Sequence, residues 1–292
     1  MRRRPLAALL AVAIAVPAFL AVAGPAAAQG PAARWRTAET PHFRVHYPLA
    51  SEAWALRAAG KLEAIRAAVV SVVGYEPPQT VDVFVGDPVA EANGLALPFL
   101  GTPRLVLWTS SPPASSVIGH YRDWIELLSL HEETHLVHLL RPSRNPARRA
   151  LGRLLPFGPL ALSSPRWVSE GYATLVEGRL SGAGRPNGDL RAAILRRWAL
   201  AGKLPGYERL ASDSDGYLGS SMAYLAGSAY LEWLEERAGP ESLKRLWARM
   251  SAREVRSFDS SFEGVFGGSP RDLWDRYRAE LSARSLDFER RL

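Results

Sequence analysis

The spacing of apolar residues in the first third of the chain predicts a small β-sheet. Phe43, Val45 and Tyr47 alternate with polar neighbours, which is the period-2 pattern of a strand with one solvated face. Two apolar runs, at residues 80–85 and 104–108, are bounded by glycine and proline and predict two further strands. Three strands are therefore expected in this region.

Helical patterns dominate the remainder of the chain. Ser51 can cap a helix that runs to about Val73 and stops at Gly74. Beyond residue 111 the strand signals vanish, and helical periodicity appears at about 119–140, 165–180, 188–202, 219–238, 240–251 and 269–288. The pattern predicts an α+β protein with a small mixed sheet in the N-terminal part and a mainly helical part after it.

The length of 292 residues allows one large domain or two modest ones. No internal repeat and no low-complexity tract appears after the first 28 residues. We predict a sheet-bearing subdomain over residues 29–118 and a helical subdomain over 119–292.

The first 28 residues have the order of a secretory signal. Three arginines precede an uncharged apolar run at residues 5–23, and a small-residue A-x-A site ends at Ala28. We therefore expect cleavage before Gln29 and a secreted or periplasmic protein. The alternative is an uncleaved anchor helix, which Pro17 and Gly24 disfavour.

Charge and cysteine content narrow the possible chemistry. The net charge of +7 falls to +4 without residues 1–28, because 33 basic and 29 acidic residues remain. This net charge is too small to indicate a surface that binds nucleic acid. The absence of cysteine excludes disulfides, thiolate zinc sites and cysteine nucleophiles, so any metal must bind His, Asp or Glu.

The segment H-E-E-T-H at residues 131–135 is the strongest chemical signal in the chain. Its two histidines stand at i and i+4 on one helix face, so both imidazoles can reach a single Zn²⁺. Glu132 then points to the side where a zinc-bound water sits. The buried stripe of this helix has a 4, 3, 4, 3 spacing and consists of Trp124, Leu128, His131, His135 and His138.

A catalytic zinc requires three protein ligands and a water, so the two histidines leave the site one ligand short. One candidate is His138, one turn further along the same helix. The other is a carboxylate from a different element, and the segment P-R-W-V-S-E-G-Y-A at residues 165–173 supplies Glu170. The residues alone leave both candidates open.

The H-E-x-x-H segment and the W-V-S-E-G-Y-A segment together resemble the gluzincin metallopeptidases. This resemblance implies that His131, His135 and Glu170 are the ligands of one Zn²⁺ per chain. It also implies that Glu132 is the general base. His138 would then lie behind the ligands rather than among them.

The same resemblance indicates a residue that supports the ligands. Glu177 stands seven positions after Glu170, where the aminopeptidase N branch of the gluzincins has a glutamate. A zinc-bound histidine needs its second N–H oriented by a carboxylate or carbonyl, and Glu177 is our candidate. Thr174 departs from the thermolysin-like pattern, which has an aspartate there. The alternative for Glu177 is a solvated helix residue.

Over most of its length after the signal, the chain also resembles the peptidase-MA-like proteins of bacteria. The shared features are a secretory signal, a short mixed sheet, an H-E-x-T-H-x-x-H helix, a P-x-W-x-x-E-G segment and a Y-x-x-G-S segment at residues 224–228. The resemblance implies a zincin-like fold with the zinc site between the two parts. It also implies that residues 101–108 form an edge strand that pairs with substrate, the alternative being a covered core strand.

These parts imply metal-assisted hydrolysis of a peptide or protein substrate. Glu132 would take a proton from zinc-activated water and pass it to the leaving amine. Tyr224 is the candidate donor to the oxyanion, with Tyr172 and Tyr230 as rivals and core packing as the alternative for each. Glu132 favours an enzyme over a catalytically silent scaffold or binding protein of the cell envelope, because a closed structural site has no use for that carboxylate.

Residues 141–166, between the two zinc segments, combine arginine with leucine, proline and phenylalanine. A helical hairpin that joins the zinc elements is the favoured interpretation. A lid, a substrate rim and a patch that touches anionic lipid are the alternatives. Membrane association is therefore not predicted, but it stays open.

Overall fold

The computed structural model describes residues 33–152, 157–212 and 217–291, with side chains described from residue 221 onward in the helix that begins at Tyr217. The predicted signal segment, residues 1–28, lies outside the described residues. None of the helices within the described ranges is long and apolar enough to cross a membrane.

The N-terminal part contains a five-stranded mixed sheet. Its strands are β1 (Trp35–Glu39), β2 (Phe43–Pro48), β3 (Val81–Gly86), β4 (Gly94–Leu97) and β5 (Arg104–Trp108). The strand order is β1-β2-β3-β5-β4, with parallel pairing at β2-β3 and β3-β5 and antiparallel pairing at the two outer pairs. With the helical part described below, this arrangement confirms the α+β class.

The prediction that residues 101–108 form the substrate-facing edge strand is wrong. β5 lies between β3 and β4, so both of its edges are already paired. The edge on that side of the sheet is β4, a four-residue strand that the apolar pattern did not reveal. β1 was also missed, because four of its five residues are exposed and no alternation marks it.

The helix predicted between Ser51 and Val73 is α1 (Glu52–Val73), which follows β2. It ends at Gly74, whose φ of 72° is the left-handed conformation that glycine adopts most readily, and whose N–H donates to Val70 O. Ser51 belongs to one turn of 3-10 helix, Leu49–Ser51, and its side chain makes no capping hydrogen bond. The predicted stop is therefore confirmed, but the predicted cap is wrong.

The six helical segments predicted beyond residue 111 are confirmed. The helices are α2 (Trp124–Leu139), α3 (Pro146–Leu151), α4 (Pro159–Ser163), α5 (Arg166–Ser181), α6 (Gly184–Asn187), α7 (Asp189–Leu200), α8 (Tyr207–Ala211), α9 (Tyr217–Ala238), α10 (Ser242–Met250), α11 (Phe258–Phe266) and α12 (Pro270–Glu289). Helices α3 and α4 lie in residues 141–166, where a helical hairpin was the favoured interpretation, and α6, α8 and α11 were not predicted.

Helix α2 joins the sheet to the helical part. Leu128 and Leu136 belong to the sheet's apolar core, whereas Leu130 and Val137 on the same helix belong to the core of the helical part. All of these side chains are buried. Because α2 carries the two histidines of the H-E-E-T-H segment, its position between two cores holds them in a fixed place.

A buried ion pair ties α2 to α1. Arg66 Nη1 lies 3.2 Å from Glu133 Oε1, and both side chains are almost completely buried. Arg66 also donates to the carbonyl of Pro77. At the start of α2, Trp124 donates from Nε1 to Trp108 O at 3.1 Å, which links the helix to the end of β5.

Helices α5 and α9 cross at two glycines. A Cβ atom on Gly171 would lie 2.6 Å from the carbonyl carbon of Gly227, and one on Gly227 would lie 2.5 Å from Trp167 O. Both distances are well inside van der Waals contact with backbone atoms that cannot rotate away. The two helices therefore approach each other backbone to backbone, as only glycine permits.

We predict that Gly171→Ala destabilises the protein by about 1–3 kcal/mol, the usual range for overpacking, because α5 and α9 must separate. The matched control is Gly60→Ala in the middle of α1, where an added Cβ meets no atom within 4 Å. This control should be neutral or stabilising by up to about 1 kcal/mol. Urea unfolding measures both, and equal effects would contradict the prediction.

Candidate metal centre and active site

Helix α2 begins with a well-formed cap and then presents its histidines to a cleft. The Asp123 carboxylate accepts a hydrogen bond from Glu126 N at 3.1 Å, which satisfies a free N–H of the first turn. Two turns later, His131, Glu132 and His135 line the cleft, and all three side chains are largely buried. The i, i+4 spacing thus brings the two imidazoles together as expected.

Glu170 on α5 completes a triangle of ligand atoms with the two histidines. His131 Nε2 and His135 Nε2 are 3.3 Å apart. Glu170 Oε2 lies 3.4 Å from His131 Nε2 and 3.2 Å from His135 Nε2. These three residues form a group that could hold a metal ion.

The triangle has the dimensions of one face of a tetrahedral zinc site. With metal–ligand bonds of about 2.0–2.1 Å, tetrahedral geometry requires ligand atoms about 3.3–3.4 Å apart. The three observed separations lie within 0.2 Å of one another and match this value. Two imidazole nitrogens and one carboxylate oxygen are also a donor set that zinc accepts. The residues present therefore fit the metal.

Glu177 on α5 fixes the orientation of His131. Glu177 Oε2 lies 2.7 Å from His131 Nδ1. Arg185 Nη1 lies 2.8 Å and 2.9 Å from the two oxygens of Glu177, so this carboxylate is ionised and acts as an acceptor. The Nδ1 atom of His131 must then carry the proton, which leaves the lone pair on Nε2 facing the triangle.

The short helix α6, which follows α5, places Arg185 at this carboxylate. Gly184 has a φ of 74°, and a Cβ atom on it would lie 3.1 Å from Glu177 Oε1. Its N–H donates to His120 O at 2.6 Å. The backbone therefore passes against the Glu177 side chain, and the next residue places its guanidinium there.

The charges around the triangle favour a bound cation. Burial lowers the pKa of His131, but its hydrogen bonds to Glu170 and Glu177 outweigh burial and raise that pKa to about 9. Burial also opposes ionisation of Glu170, yet the attraction of His135 and the hydrogen bonds to both histidines hold its pKa well below the ordinary value. The same carboxylates that retain a proton would retain a metal dication.

A cleft of about 550 Å³ opens over the triangle. Glu132 lies on its wall, next to β4, and a Cβ atom on Gly94 would be 2.9 Å from Glu132 Oε1. Burial raises the pKa of Glu132 above its ordinary value, against the attraction of His131 and His135. Glu132 is thus a carboxylate with raised proton affinity, close to the ligand group.

Tyr224 on α9 lines the cleft, as β4 does, whereas its two rivals, Tyr172 and Tyr230, do not. Its ring is stacked on His131 with centroids 5.9 Å apart, and the Arg185 guanidinium lies 4.7 Å from its centroid. Burial, with the nearby charge of Glu170, raises the pKa of Tyr224 to about 12, so the hydroxyl stays protonated. The first rival, Tyr172, instead packs against Trp247.

The other rival, Tyr230, is also a core residue. Its hydroxyl donates to Pro270 O at 2.9 Å, and its ring packs against Trp167 and Trp274. Of the three candidate tyrosines, Tyr224 is therefore the one whose side chain lines the cleft, and the other two pack in the core.

The structure does not bring His138 into the ligand group. Its ring is buried between Tyr172 and Trp247, with centroid distances of 5.1 Å and 4.1 Å. Neither ring nitrogen has a hydrogen-bond partner among the described residues. His138 is thus enclosed by aromatic side chains from α5 and α10 and makes no hydrogen bond to the candidate ligands, and its supporting role stays a prediction.

Two residues that shape the site, Gly94 and Arg185, were not predicted from the sequence. Gly94 begins a strand too short for periodicity to reveal, and Arg185 lies in the four-residue helix α6, which has no apolar pattern. The available signal was the density of glycine around Arg185, at Gly182, Gly184 and Gly188. Such density indicates a backbone that wraps closely around another element.

Comparison with protein-family models and with curated proteins gives no significant match. Among solved structures, a point mutant of a two-domain M1 zinc metallopeptidase bound to L-tryptophan has a TM-score of 0.48 and 17% identity, covering 84% of this chain and 51% of the other. A mutant M1 zinc metallopeptidase from Deinococcus radiodurans has a TM-score of 0.48 and 14% identity, covering 82% and 51%.

An M1 zinc metallopeptidase from Deinococcus radiodurans has a TM-score of 0.43 and 15% identity, covering 86% of this chain and 50% of the other. The present chain thus spans about half the length of these solved chains. At these identities and TM-scores, the likeness assigns neither a family nor an activity to it.

We predict that Glu177→Gln lowers the affinity for added Zn²⁺ by about 10–100-fold, the usual effect of losing a carboxylate behind a histidine ligand. The amide keeps the shape of the side chain but removes the charge that orients His131. Competition with a chelating dye measures the affinity.

Glu235→Gln is the matched control for this variant. Glu235 is also buried and paired with an arginine, Arg179, but it lies outside the cleft. Its substitution should leave the zinc affinity unchanged. Unchanged affinity in Glu177→Gln, or equal losses in both variants, would contradict the assigned role.

Proposed function

We propose that this chain is a zinc-dependent peptidase that hydrolyses peptide bonds with Glu132 as general base. The observation that carries the proposal is the triangle of His131, His135 and Glu170 ligand atoms, whose edges of 3.2–3.4 Å match a tetrahedral zinc. Export, expected from residues 1–28, is part of the same proposal.

Three residues would hold the metal, and none of them is needed as a base. His131 and His135 would bind it through Nε2, and Glu170 through Oε2, because these are the atoms that face one another. When bound there, Zn²⁺ would polarise a carbonyl and lower the pKa of a coordinated water toward about 7. Three protein ligands, rather than four, are the number that catalytic zinc sites use.

Glu132 moves the proton in this proposal. Its carboxylate lines the cleft beside the ligand group without belonging to it. It accepts a proton from the attacking water and returns that proton to the leaving amine. The raised proton affinity that comes from burial makes the carboxylate a stronger base than an exposed glutamate.

Tyr224 stabilises the negative charge that develops on the substrate carbonyl oxygen. The tyrosine hydroxyl remains protonated and can therefore donate a hydrogen bond. Stacking on His131 and the adjacent Arg185 hold the ring at the cleft. Such a donor acts mainly on the transition state, because the charge appears only there.

The edge of β4 is the surface on which an extended peptide would lie. β4 lines the cleft through Gly94, Leu95 and Ala96, and its far side is paired with β5. An unpaired strand edge binds peptide main chain through backbone hydrogen bonds, whatever the side chains. β4 takes the role that the sequence had given to residues 101–108.

We predict that Glu132→Gln lowers kcat by about 10²–10⁴ while about one zinc per chain remains bound, because the variant removes the base and no ligand. The measurement is cleavage of a peptide selected from a broad library, with zinc content determined on each sample.

Two variants on the same helix serve as controls for this experiment. Glu126→Gln carries the same substitution outside the cleft and should keep full activity. His135→Ala should lose the metal and the activity together. Equal activity of wild type and Glu132→Gln would refute Glu132 as the base. Zinc-loaded wild type that cleaves no peptide would favour a scaffold without turnover.

We also predict that Tyr224→Phe lowers kcat by about 10²–10³ with little change in KM, because the hydroxyl acts on the transition state. Tyr230→Phe is the matched control, since its hydroxyl bonds to Pro270 O in the core. Steady-state kinetics on the same peptide separates the two variants. A Tyr224→Phe enzyme with wild-type kcat would restrict this residue to packing.

A further inference from the structure

A second cavity, which the proposed reaction does not use, lies beyond the C-terminal end of α2. We call it the Arg148 groove: its walls are α3, α4, the segment just after α2 at residues 140–143, and parts of the loops around Gln79 and Leu100. Its volume is about 1000 Å³, and it shares no lining residue with the cleft over the metal triangle. A cavity of this size can accommodate lipid-sized apolar groups.

The rim of the Arg148 groove exposes two large apolar side chains. Leu151 at the end of α3 is 53% exposed, and Leu162 on α4 is 61% exposed. Between them, the walls continue inward to Leu100, Phe157 and Leu140. Apolar surface that runs from a protruding rim into a cavity marks an interaction site rather than a scattered exposed residue.

The charge of the Arg148 groove is entirely positive within the described part of the chain. Arg148 and Arg149 line it, and no described aspartate or glutamate does. Arg149 donates from Nε to Ser143 O at 3.3 Å, which orients its guanidinium at the rim. The lining therefore combines protruding leucines with guanidinium groups, the combination suited to an anionic partner with an apolar interior.

Few polar groups inside the groove are free to bond a peptide backbone. Gln79 Nε2 already donates to Leu100 O and the Ser163 hydroxyl donates to Pro159 O, whereas Gln79 Oε1 has no hydrogen-bond partner among the described residues. A bound peptide needs partners for its backbone N–H and C=O groups, whereas lipid chains need none. The chemistry of the lining thus favours lipid over a polypeptide.

We propose that the Arg148 groove docks the protein on an anionic lipid bilayer. Leu151 and Leu162 enter the boundary between headgroups and acyl chains, and Arg148 and Arg149 contact lipid phosphates. The interaction is peripheral and does not depend on the metal.

The test is co-sedimentation of the zinc-loaded chain that begins at Gln29 with vesicles. One set contains phosphatidylglycerol and phosphatidylcholine, and the other contains phosphatidylcholine alone. We expect the protein to bind the first set, and the binding to decrease with added salt.

Arg148→Gln/Arg149→Gln should weaken the binding to anionic vesicles about 20–30-fold, since each basic residue near an anionic surface contributes about a factor of 5. Leu151→Asp/Leu162→Asp should weaken it at least as much.

Matched double variants on other surfaces control for net charge and hydrophobicity. Arg57→Gln/Arg197→Gln removes the same charge from two exposed arginines outside the groove. Leu56→Asp/Leu286→Asp changes two leucines that are 49% and 47% exposed. Both should bind nearly as well as wild type. Equal losses in control and groove variants would overturn the proposal, as would the absence of wild-type binding to anionic vesicles.

A spectroscopic measurement tests insertion directly. Because the chain has no cysteine, Leu162→Cys gives a unique labelling site for an environment-sensitive fluorophore, with Leu286→Cys as the reference. Anionic vesicles should shift the emission of the label at position 162 to shorter wavelength and leave the label at 286 unchanged. No shift at position 162, combined with photo-crosslinking of that site to a protein, would assign the groove to a protein partner instead.

Discussion

The candidate site depends on the contact between the backbones of α5 and α9 at Gly171 and Gly227. Gly171 follows Glu170 directly, and Gly227 lies three residues after Tyr224, so this crossing sets the positions of both functional side chains. If either glycine carried a side chain, its Cβ would lie 2.5–2.6 Å from backbone atoms of the other helix, and the helices would have to move apart. The candidate metal ligand and the candidate oxyanion donor are thus located by one steric constraint.

The site is also held together by a continuous line of charged groups. Arg185 binds both oxygens of Glu177, and Glu177 in turn holds His131. Each member satisfies the next, so buried charges that would be costly alone become a rigid support. The line connects α6 with α2, and the metal triangle stands at its end. A small displacement of Arg185 would therefore change the position of Glu177 and, through it, the orientation of His131.

The sequence revealed what is encoded locally. The i, i+4 histidines needed only helical periodicity, and Glu170 needed a short motif compared with known families. The other features of the site depend on packing between segments that are far apart in the sequence. Residues 104–108 gave a clear strand, but whether this strand lay at an edge depended on β4, which is recognisable only beside its partner. His138 shared the histidine stripe, yet aromatic rings from distant segments enclosed it. Arg185 had no local signal, because its role follows from the position of α6 beside Glu177.

The contact between Gly94 and Glu132 has a consequence for selectivity. Because no side chain fits between Gly94 and the Glu132 carboxylate, the strand backbone alone would position a peptide added to this edge relative to Glu132. Side chains of an extended peptide alternate between two faces. Only every second residue of such a peptide would meet the floor of the cleft, and its intervening residues would point to solvent. The cleft would then discriminate between peptides by every second residue. A shift of the peptide by one residue along β4 would exchange the residues that face the cleft with those that face solvent.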